Sequence, residues 1–171
     1  MMSVKNIIKF LFSIFFILLF GCKIKYSFTG ASVSPEVRTI SIQYFSNNAP
    51  IVLPSLSQTF TEKLKDKFLS QANLGLVANN GDLSLSGAIT GYSTQPIAIQ
   101  GNETAALNRL TIIISVKFVN SKNEKQDFET TFSRYADYDS KLSLSQVEDD
   151  LIKQINDQLV DDIFNKAMIN W

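Results

Sequence analysis

The sequence predicts an α+β fold, a two-layer sandwich in which two amphipathic helices pack on a mostly antiparallel four-stranded sheet. Two observations predict the helices, because apolar residues recur every three to four positions over 54–71 and again over 145–167. A third predicts the sheet, since four other segments are either alternately apolar and polar or almost wholly apolar. The predicted order along the chain is β-α-β-β-β-α.

The first strand is predicted over 38–45. Ile40, Ile42 and Tyr44 alternate with polar residues there and are expected to share one buried face. The segment Ser46–Pro50, rich in asparagine and closed by proline, breaks the strand.

The first helix is predicted from Pro54 to Gln71, since proline is tolerated in the first turn of a helix. Its apolar stripe consists of Leu56, Phe60, Leu64 and Phe68. Lys63, Lys65 and Lys67 fall beside or away from the stripe. They form either a solvated face or a basic face that meets phosphates.

The next segments are shorter. Leu74–Val77 is a candidate short strand, and Asn79–Asp82 has the composition of a turn. Leu83–Tyr92 is predicted as a strand, within which Gly87 and Gly91 indicate a bulge or the close approach of another backbone.

A long loop is expected over Ser93–Thr104. After it, Leu107–Val119 is so apolar that we expect a central strand covered on both faces. The polar segment 120–126 is predicted as a hairpin loop, and 127–135 as the antiparallel strand that follows it.

The second helix is predicted to begin at Ser145, because Ser145-x-x-Glu148 has the pattern of a capping box, and to end near Ala167. Acidic residues are expected in its first turn, and Lys166 lies in its last turn, as the helix dipole favours. Its apolar stripe consists of Val147, Leu151, Ile155, Leu159 and Ile163, widened by Ile152 and Phe164.

The amino-acid composition excludes several classes of function. The 171 residues include no histidine and one cysteine, and the formal net charge is zero. Without histidine, Ser-His-Asp catalysis, Cys-His catalysis and the usual histidine-ligated metals have no basis in this chain. One cysteine excludes an internal disulfide and a cysteine-rich zinc site. Neutrality gives no support for nucleic-acid binding. The sequence therefore predicts a protein that is not an enzyme and holds no metal.

The first 21 residues have the pattern of a secretory signal. Lys5 and Lys9 precede an apolar run over 10–20 that is too short to span a membrane, and Gly21-Cys22 follows. This pattern resembles a bacterial lipoprotein signal. It predicts that residues 1–21 are removed and that Cys22 carries diacylglycerol on sulfur and an acyl chain such as palmitate on its amine. No other cofactor is expected. Residues 22–35 are predicted as a tether, and 36–171 as one α+β domain.

Few residues suggest ligand or partner contacts. Lys122 and Lys125, in the predicted hairpin loop, are the best local candidates for contacting an anionic ligand, although lysines in such a loop more often belong to a plain solvated hairpin. Ile97 and Ile99, in the predicted long loop, are candidates for partner contacts, because apolar loop residues favour burial by another chain.

The acidic clusters suggest little chemistry. Asp137–Ser140 lacks the further ligands of a calcium loop and is interpreted as an ordinary turn. Glu148–Asp150 and the pair Asp161-Asp162 are interpreted as solvated helix residues rather than as catalytic carboxylates.

Six short stretches, in order along nearly all of the chain after residue 22, carry a family resemblance: Tyr26–Ala31, Thr39–Phe45, Ser57–Glu62, Gly87–Tyr92, Phe132–Asp137 and Ile163–Trp171. Together they resemble the Bacteroidetes-type branch of the LptE family of lipopolysaccharide-assembly lipoproteins. The resemblance implies a fold of two helices on a mostly antiparallel four-stranded sheet.

The resemblance also implies a role. Such lipoproteins are anchored at the periplasmic face of the outer membrane, lodge inside the LptD β-barrel and help it assemble. The pair inserts lipopolysaccharide into the outer leaflet, and some members bind lipopolysaccharide themselves. Cys22 is the one residue whose role carries over. The alternative is another envelope lipoprotein, acting as a secretion accessory or a structural tether.

Overall fold

The structure, a computed structural model, describes residues 34–97 and 107–169. The described residues form six strands and two α-helices: β1 (Thr39–Ile42), β2 (Ser46–Asn47), α1 (Pro54–Ala72), β3 (Gly75–Leu76), β4 (Leu83–Ile97), β5 (Leu107–Asn120), β6 (Phe128–Asp139) and α2 (Leu144–Met168). Cys22, most of the predicted tether, Ile99 and Trp171 lie outside the described residues.

The strands form one sheet in the order β3-β1-β4-β5-β6, with β2 also paired to β4. The three long strands β4, β5 and β6 are antiparallel to one another. The short strands differ, because β1 and β2 run parallel to β4 and β3 runs parallel to β1. The α+β class, the two helices and the mostly antiparallel sheet are confirmed. The sheet has six strands rather than four because two strands of two residues each, β2 and β3, add to it.

Both helices pack on one face of the sheet. Along β5 every second residue is fully buried on that face, namely Leu110, Ile112, Ile114, Val116 and Phe118. The residues between them are half-buried, apart from the exposed Lys117. The central position predicted for β5 is confirmed, but no element among residues 34–97 and 107–169 covers the second face, contrary to the prediction. Ile113 and Val119 on the second face made the apolar run look continuous.

The predicted helix stripes form the core. Leu56, Phe60, Leu64 and Phe68 of α1 are all buried, and so are the predicted α2 residues apart from the partly buried Val147. Phe68 of α1 meets Phe164 of α2 edge to face, with ring centroids 5.1 Å apart.

The predicted basic face of α1 is largely engaged in ion pairs. Lys63 pairs with Asp157 at 2.5 Å, and Lys67 pairs with Asp161 at 2.6 Å. Both residue numbers rise together from one pair to the next, so α1 and α2 run parallel. The lysines therefore join the two helices; the third lysine of the set, Lys65, pairs with Glu62 of its own helix.

The expectation that Tyr44 shares a buried face with Ile40 and Ile42 is wrong. Tyr44 is 60% exposed, whereas Phe45 is fully buried and its ring lies 5.2 Å from that of Phe60. Ile42 pairs with Leu85, and Ser46 pairs with Ala88. The segment from β1 to β2 therefore contains one residue more than the stretch of β4 that it lies beside. The extra residue reverses which side chains face the core.

The start of α2 also differs from the prediction. The N-cap is Ser143, and the side-chain oxygen of Gln146 accepts a hydrogen bond from the Ser143 backbone N–H at 2.9 Å. The capping box therefore lies two residues before the predicted one. As a result the acidic cluster that begins at Glu148 falls after the first turn, while Lys166 does lie in the last turn.

The predicted bulge in β4 is confirmed, because the register against β5 shifts between Ile89 and Gly91. The strand does not end at Tyr92, however. It continues to Ile97, so the segment Ser93–Ile97 of the predicted loop is strand, antiparallel to the start of β5.

Candidate functional site

The hairpin between β5 and β6 lies beside the start of β1, and Asp82 joins the two. One carboxylate oxygen of Asp82 accepts hydrogen bonds from the backbone N–H groups of Arg38 and Thr39 at 2.9 and 3.0 Å. It also accepts one from the Thr39 hydroxyl at 2.9 Å. The other oxygen lies 3.1 Å from Nζ of Lys122. These donors hold the pKa of Asp82 well below its usual range, and the backbone N–H of Arg38 has the largest effect.

Lys122 is therefore engaged by Asp82, and the second predicted residue, Lys125, has different surroundings. Lys125 lies in the 3-10 turn Glu124–Gln126, and its backbone N–H donates to Oδ1 of Asn123 at 3.3 Å. Together with Lys166 it lines a cleft of about 240 Å³. Among the described residues, no acidic side chain forms an ion pair with either lysine.

The cleft also has an aromatic wall. Nζ of Lys166 lies 5.2 Å from the centroid of the Phe128 ring, within the range of a cation–π contact. The remaining lining residues are Gln126, Asp127, Ala167 and Ile169. Oδ1 of Asp127 accepts from the Asn120 backbone N–H at 2.8 Å, which fixes this carboxylate in the hairpin. The cleft thus offers two ammonium groups beside an apolar wall.

Sequence reasoning missed Lys166 as a partner of Lys125. A helix of 25 residues is about 37 Å long, and a strand of 12 residues is about 40 Å long. Because α2 runs back along β6, its last turn returns to the hairpin from which β6 starts. Comparing the two lengths is the signal that predicts this meeting.

The segment Asp137–Ser140, interpreted from sequence as an ordinary turn, belongs to β6 as far as Asp139. The prediction of a turn is wrong there, because β5 continues as far as Leu107 and pairs with Asp139. Asp137 and Arg109 form a bidentate ion pair, with N–O distances of 2.7 and 2.9 Å. Arg109 lowers the pKa of Asp137. Within the described part of the chain, no three or more acidic side chains converge as metal ligands would.

Two further acidic residues of α2 contact the sheet. Asp162 binds Arg134 of β6 through both carboxylate oxygens, at 2.5 and 2.7 Å. Glu148 accepts a hydrogen bond from the hydroxyl of the buried Tyr92. Burial and this carboxylate raise the pKa of Tyr92. These carboxylates hold α2 on the sheet.

Ile97 lies at the last position of β4, opposite Leu107, and not in a loop. It is half-buried. Its predicted partner contact stays a prediction, as does that of Ile99, which lies outside the described residues.

A comparison with protein families identifies the family of this chain. The model of the family LptE, described as lipopolysaccharide-assembly, matches residues 37–167. The chain belongs to the LptE family. Its members are lipoproteins of lipopolysaccharide assembly and outer-membrane biogenesis rather than enzymes, which places this chain in the cell envelope. The resemblance inferred from the sequence is confirmed.

Solved structures share the LptE-like fold. A minor lipoprotein from Acinetobacter baumannii has a TM-score of 0.51 at 17% identity, covering 76% of this chain and 93% of its own. The rare lipoprotein B from Shewanella oneidensis has a TM-score of 0.51 at 16% identity, covering 75% and 92%. A hypothetical protein from Chlamydia trachomatis also has a TM-score of 0.51, at 10% identity, covering 78% and 99%.

No curated relative matches the chain. Neither helix of the described residues combines the length and the apolar character that crossing a membrane requires.

Proposed function

We propose that this LptE-family protein is an outer-membrane lipoprotein, anchored at the periplasmic face through lipid on Cys22. It plugs an LptD-type β-barrel and helps that barrel to assemble, and so supports the transport of lipopolysaccharide into the outer leaflet. The family match over residues 37–167 carries the proposal, because it spans all six strands, the whole of α1 and all of α2 except its last residue.

A structural rather than a catalytic role fits the contacts of the acidic residues. One of the two carboxylate clusters considered on α2 is engaged in ion pairs, since Asp161 pairs with Lys67 and Asp162 with Arg134. A plug benefits from such ties, because its surface must keep one shape while it is held inside another protein.

We also propose a contact for lipopolysaccharide, whose phosphates are anionic. Lys125 and Lys166 would bind a phosphate at the hairpin cleft, and Phe128 would lie against the adjoining apolar part of the ligand. The lack of an acidic partner for either lysine among the described residues supports this. Lys122, paired with Asp82, contributes less than the sequence suggested.

The phosphate contact can be tested with the purified, lipidated protein. The double variant Lys125→Ala/Lys166→Ala is expected to bind lipopolysaccharide about tenfold more weakly. Both lysines are exposed, so each ion pair with a phosphate is worth at most about 1 kcal/mol, and about 1.4 kcal/mol is a factor of ten. Lys141→Ala is the matched control, because Lys141 follows the opposite end of β6. Equal affinities for wild type and double variant would contradict the contact.

Depletion of the protein in cells tests the proposed function. We expect the amount of mature LptD-type barrel and of surface lipopolysaccharide to fall together. Normal levels of both after depletion would instead favour another envelope role, such as a secretion accessory.

A further inference from the structure

One face of the sheet has no covering layer among the described residues. We define this outer face by the side chains that alternate with the buried ones on the three long strands: Ser84, Ser86, Ala88, Gly91, Ser93 and Gln95 of β4; Arg109, Thr111, Ile113, Ser115, Lys117 and Val119 of β5; Glu129, Thr131, Ser133, Tyr135 and Asp137 of β6. Every one of them is half-buried or exposed. The helices lie on the other face.

The outer face is made mostly of small side chains. More than half of its residues are serine, threonine, alanine or glycine, so another surface can approach the strands closely. Three strands about 4.8 Å apart and about 40 Å long present roughly 600 Å². A standard interface takes about 800 Å² from each partner, so this face is large enough to supply most of one.

The charges of the outer face cancel in cross-strand pairs. Arg109 is bidentate to Asp137, at 2.7 and 2.9 Å. Lys117 lies directly opposite Glu129 in the β5–β6 register. A partner that covers the face would therefore meet each charge next to one of opposite sign, whereas burial of an isolated charge is the costly case.

The outer face also has a fixed aromatic anchor. The guanidinium carbon of Arg109 lies 3.5 Å from the centroid of the Tyr135 ring, while Asp137 holds the same guanidinium. Tyr135 nevertheless remains 49% exposed. Tyrosine and arginine are the residues enriched at the energetic centres of protein interfaces, and here they are ordered before any partner arrives.

We propose that the outer face is the surface that lies against the inner wall of the β-barrel partner. This inference rests on the proposed function and names the surface through which it acts. The interior of such a barrel is polar, and a face that is hydroxyl-rich and has no net charge complements a polar wall. The helical surface differs, because Asp149, Asp150 and Lys153 are exposed on it without a side-chain partner among the described residues.

Site-specific photo-crosslinking in the native envelope tests the inference. A photo-reactive residue is introduced into the full chain at Ser93 or Thr131 on the outer face, and at Gln154 on the exposed surface of α2 as the control. A C-terminal tag recovers the products. We expect crosslinks to the barrel from both outer-face positions and at least fivefold fewer from Gln154.

Two results would overturn the inference while leaving the proposed function intact. In either case the barrel copurifies, but the outer-face positions crosslink to a second copy of the chain or to nothing. If the tagged wild type recovers no barrel at all, the proposed function fails, and the inference fails with it.

A charge substitution gives a second readout. Thr131→Arg places an unpaired cation on the neutral face and is expected to reduce the recovered barrel at least fivefold, whereas Gln154→Arg leaves recovery unchanged. Equal thermal stability of the two variants shows that both fold. Equal recovery of the barrel by both would contradict the inference.

Discussion

At the scale of single residues, Asp82 ties the start of β1 to the hairpin between β5 and β6. Its carboxylate binds two backbone N–H groups, a hydroxyl and the ammonium group of Lys122. All of these contacts favour the charged form, and they lower its pKa. A lowered pKa stabilises the folded state at every pH above the unfolded value of about 4. That stabilisation is lost as the pH falls below about 4 towards the folded pKa.

We therefore expect Asp82→Asn to lower the melting temperature at neutral pH. The gap between wild type and variant should narrow as the pH is reduced below about 4. Thermal melts across this range measure it. Asp149→Asn serves as the control, because Asp149 is exposed and has no such contacts. A gap that stays constant down to the lowest pH would contradict the assignment.

Asn156 on α2 is fully buried, and neither its side-chain nitrogen nor its oxygen has a hydrogen-bond partner in the part of the chain that the structure describes. A buried polar group without a partner costs about 1–3 kcal/mol. Leucine has the same number of side-chain heavy atoms and the same branch point as asparagine, so Asn156→Leu is expected to raise the free energy of unfolding by about 1–2 kcal/mol in urea titrations. Asn165→Leu on the exposed side of the same helix corrects for helix propensity. A loss of stability in Asn156→Leu relative to this control would mean that the amide is satisfied in solution.

At the scale of elements, β4 passes close to its neighbours at Gly87. A Cβ atom there would lie 2.1 Å from the carbonyl oxygen of Ser115 and 2.6 Å from the ring of Phe45. Gly87→Ala is expected to destabilise the fold by about 1–3 kcal/mol, because backbone and a packed ring must both shift. Gly75→Ala in β3 is the control, since its new methyl group would meet nothing closer than 3.7 Å. Equal effects of the two substitutions on urea midpoints would contradict this packing.

Elements with one uninterrupted periodicity were predictable from the sequence. The helix stripes and β5 were identified because a single pattern continues over many residues. In the first strand, the sequence did not show which side chains face the core. The extra residue between Ile42 and Ser46 reverses the alternation, and only the pairing with β4 reveals that residue. The continuation of β4 to Ile97 was missed for a similar reason. It depends on pairing with the start of β5, and proline and polar side chains conceal it.

At the scale of the whole molecule, the proposed lipid on Cys22 would decide where the domain acts. Two acyl chains anchor a protein stably, whereas one chain holds it only marginally. Cys22→Ser is expected to move the protein from the membrane fraction to the soluble fraction. Mass spectrometry of the wild type should find the lipid on this residue. A variant that stays in the membrane pellet after an alkaline wash would contradict lipid anchoring.

Only one of the two lysines of the candidate site was predictable from the sequence. Lys125 stood out because it lies in a polar hairpin loop, but Lys166 is distant in sequence and its position also suits the helix dipole. The length of α2 relative to β6 brings the two lysines to one cleft. Lys122 looked equivalent to Lys125 from sequence, and the ion pair with Asp82 distinguishes them.

Copurification from outer membranes in mild detergent, through a C-terminal tag on the lipidated full chain, tests the central claim most directly. The account predicts a large β-barrel of the LptD type in near-equimolar amount. A clean preparation without any barrel, with Cys22 shown to be lipidated, would contradict the plug and leave an envelope lipoprotein with a different task.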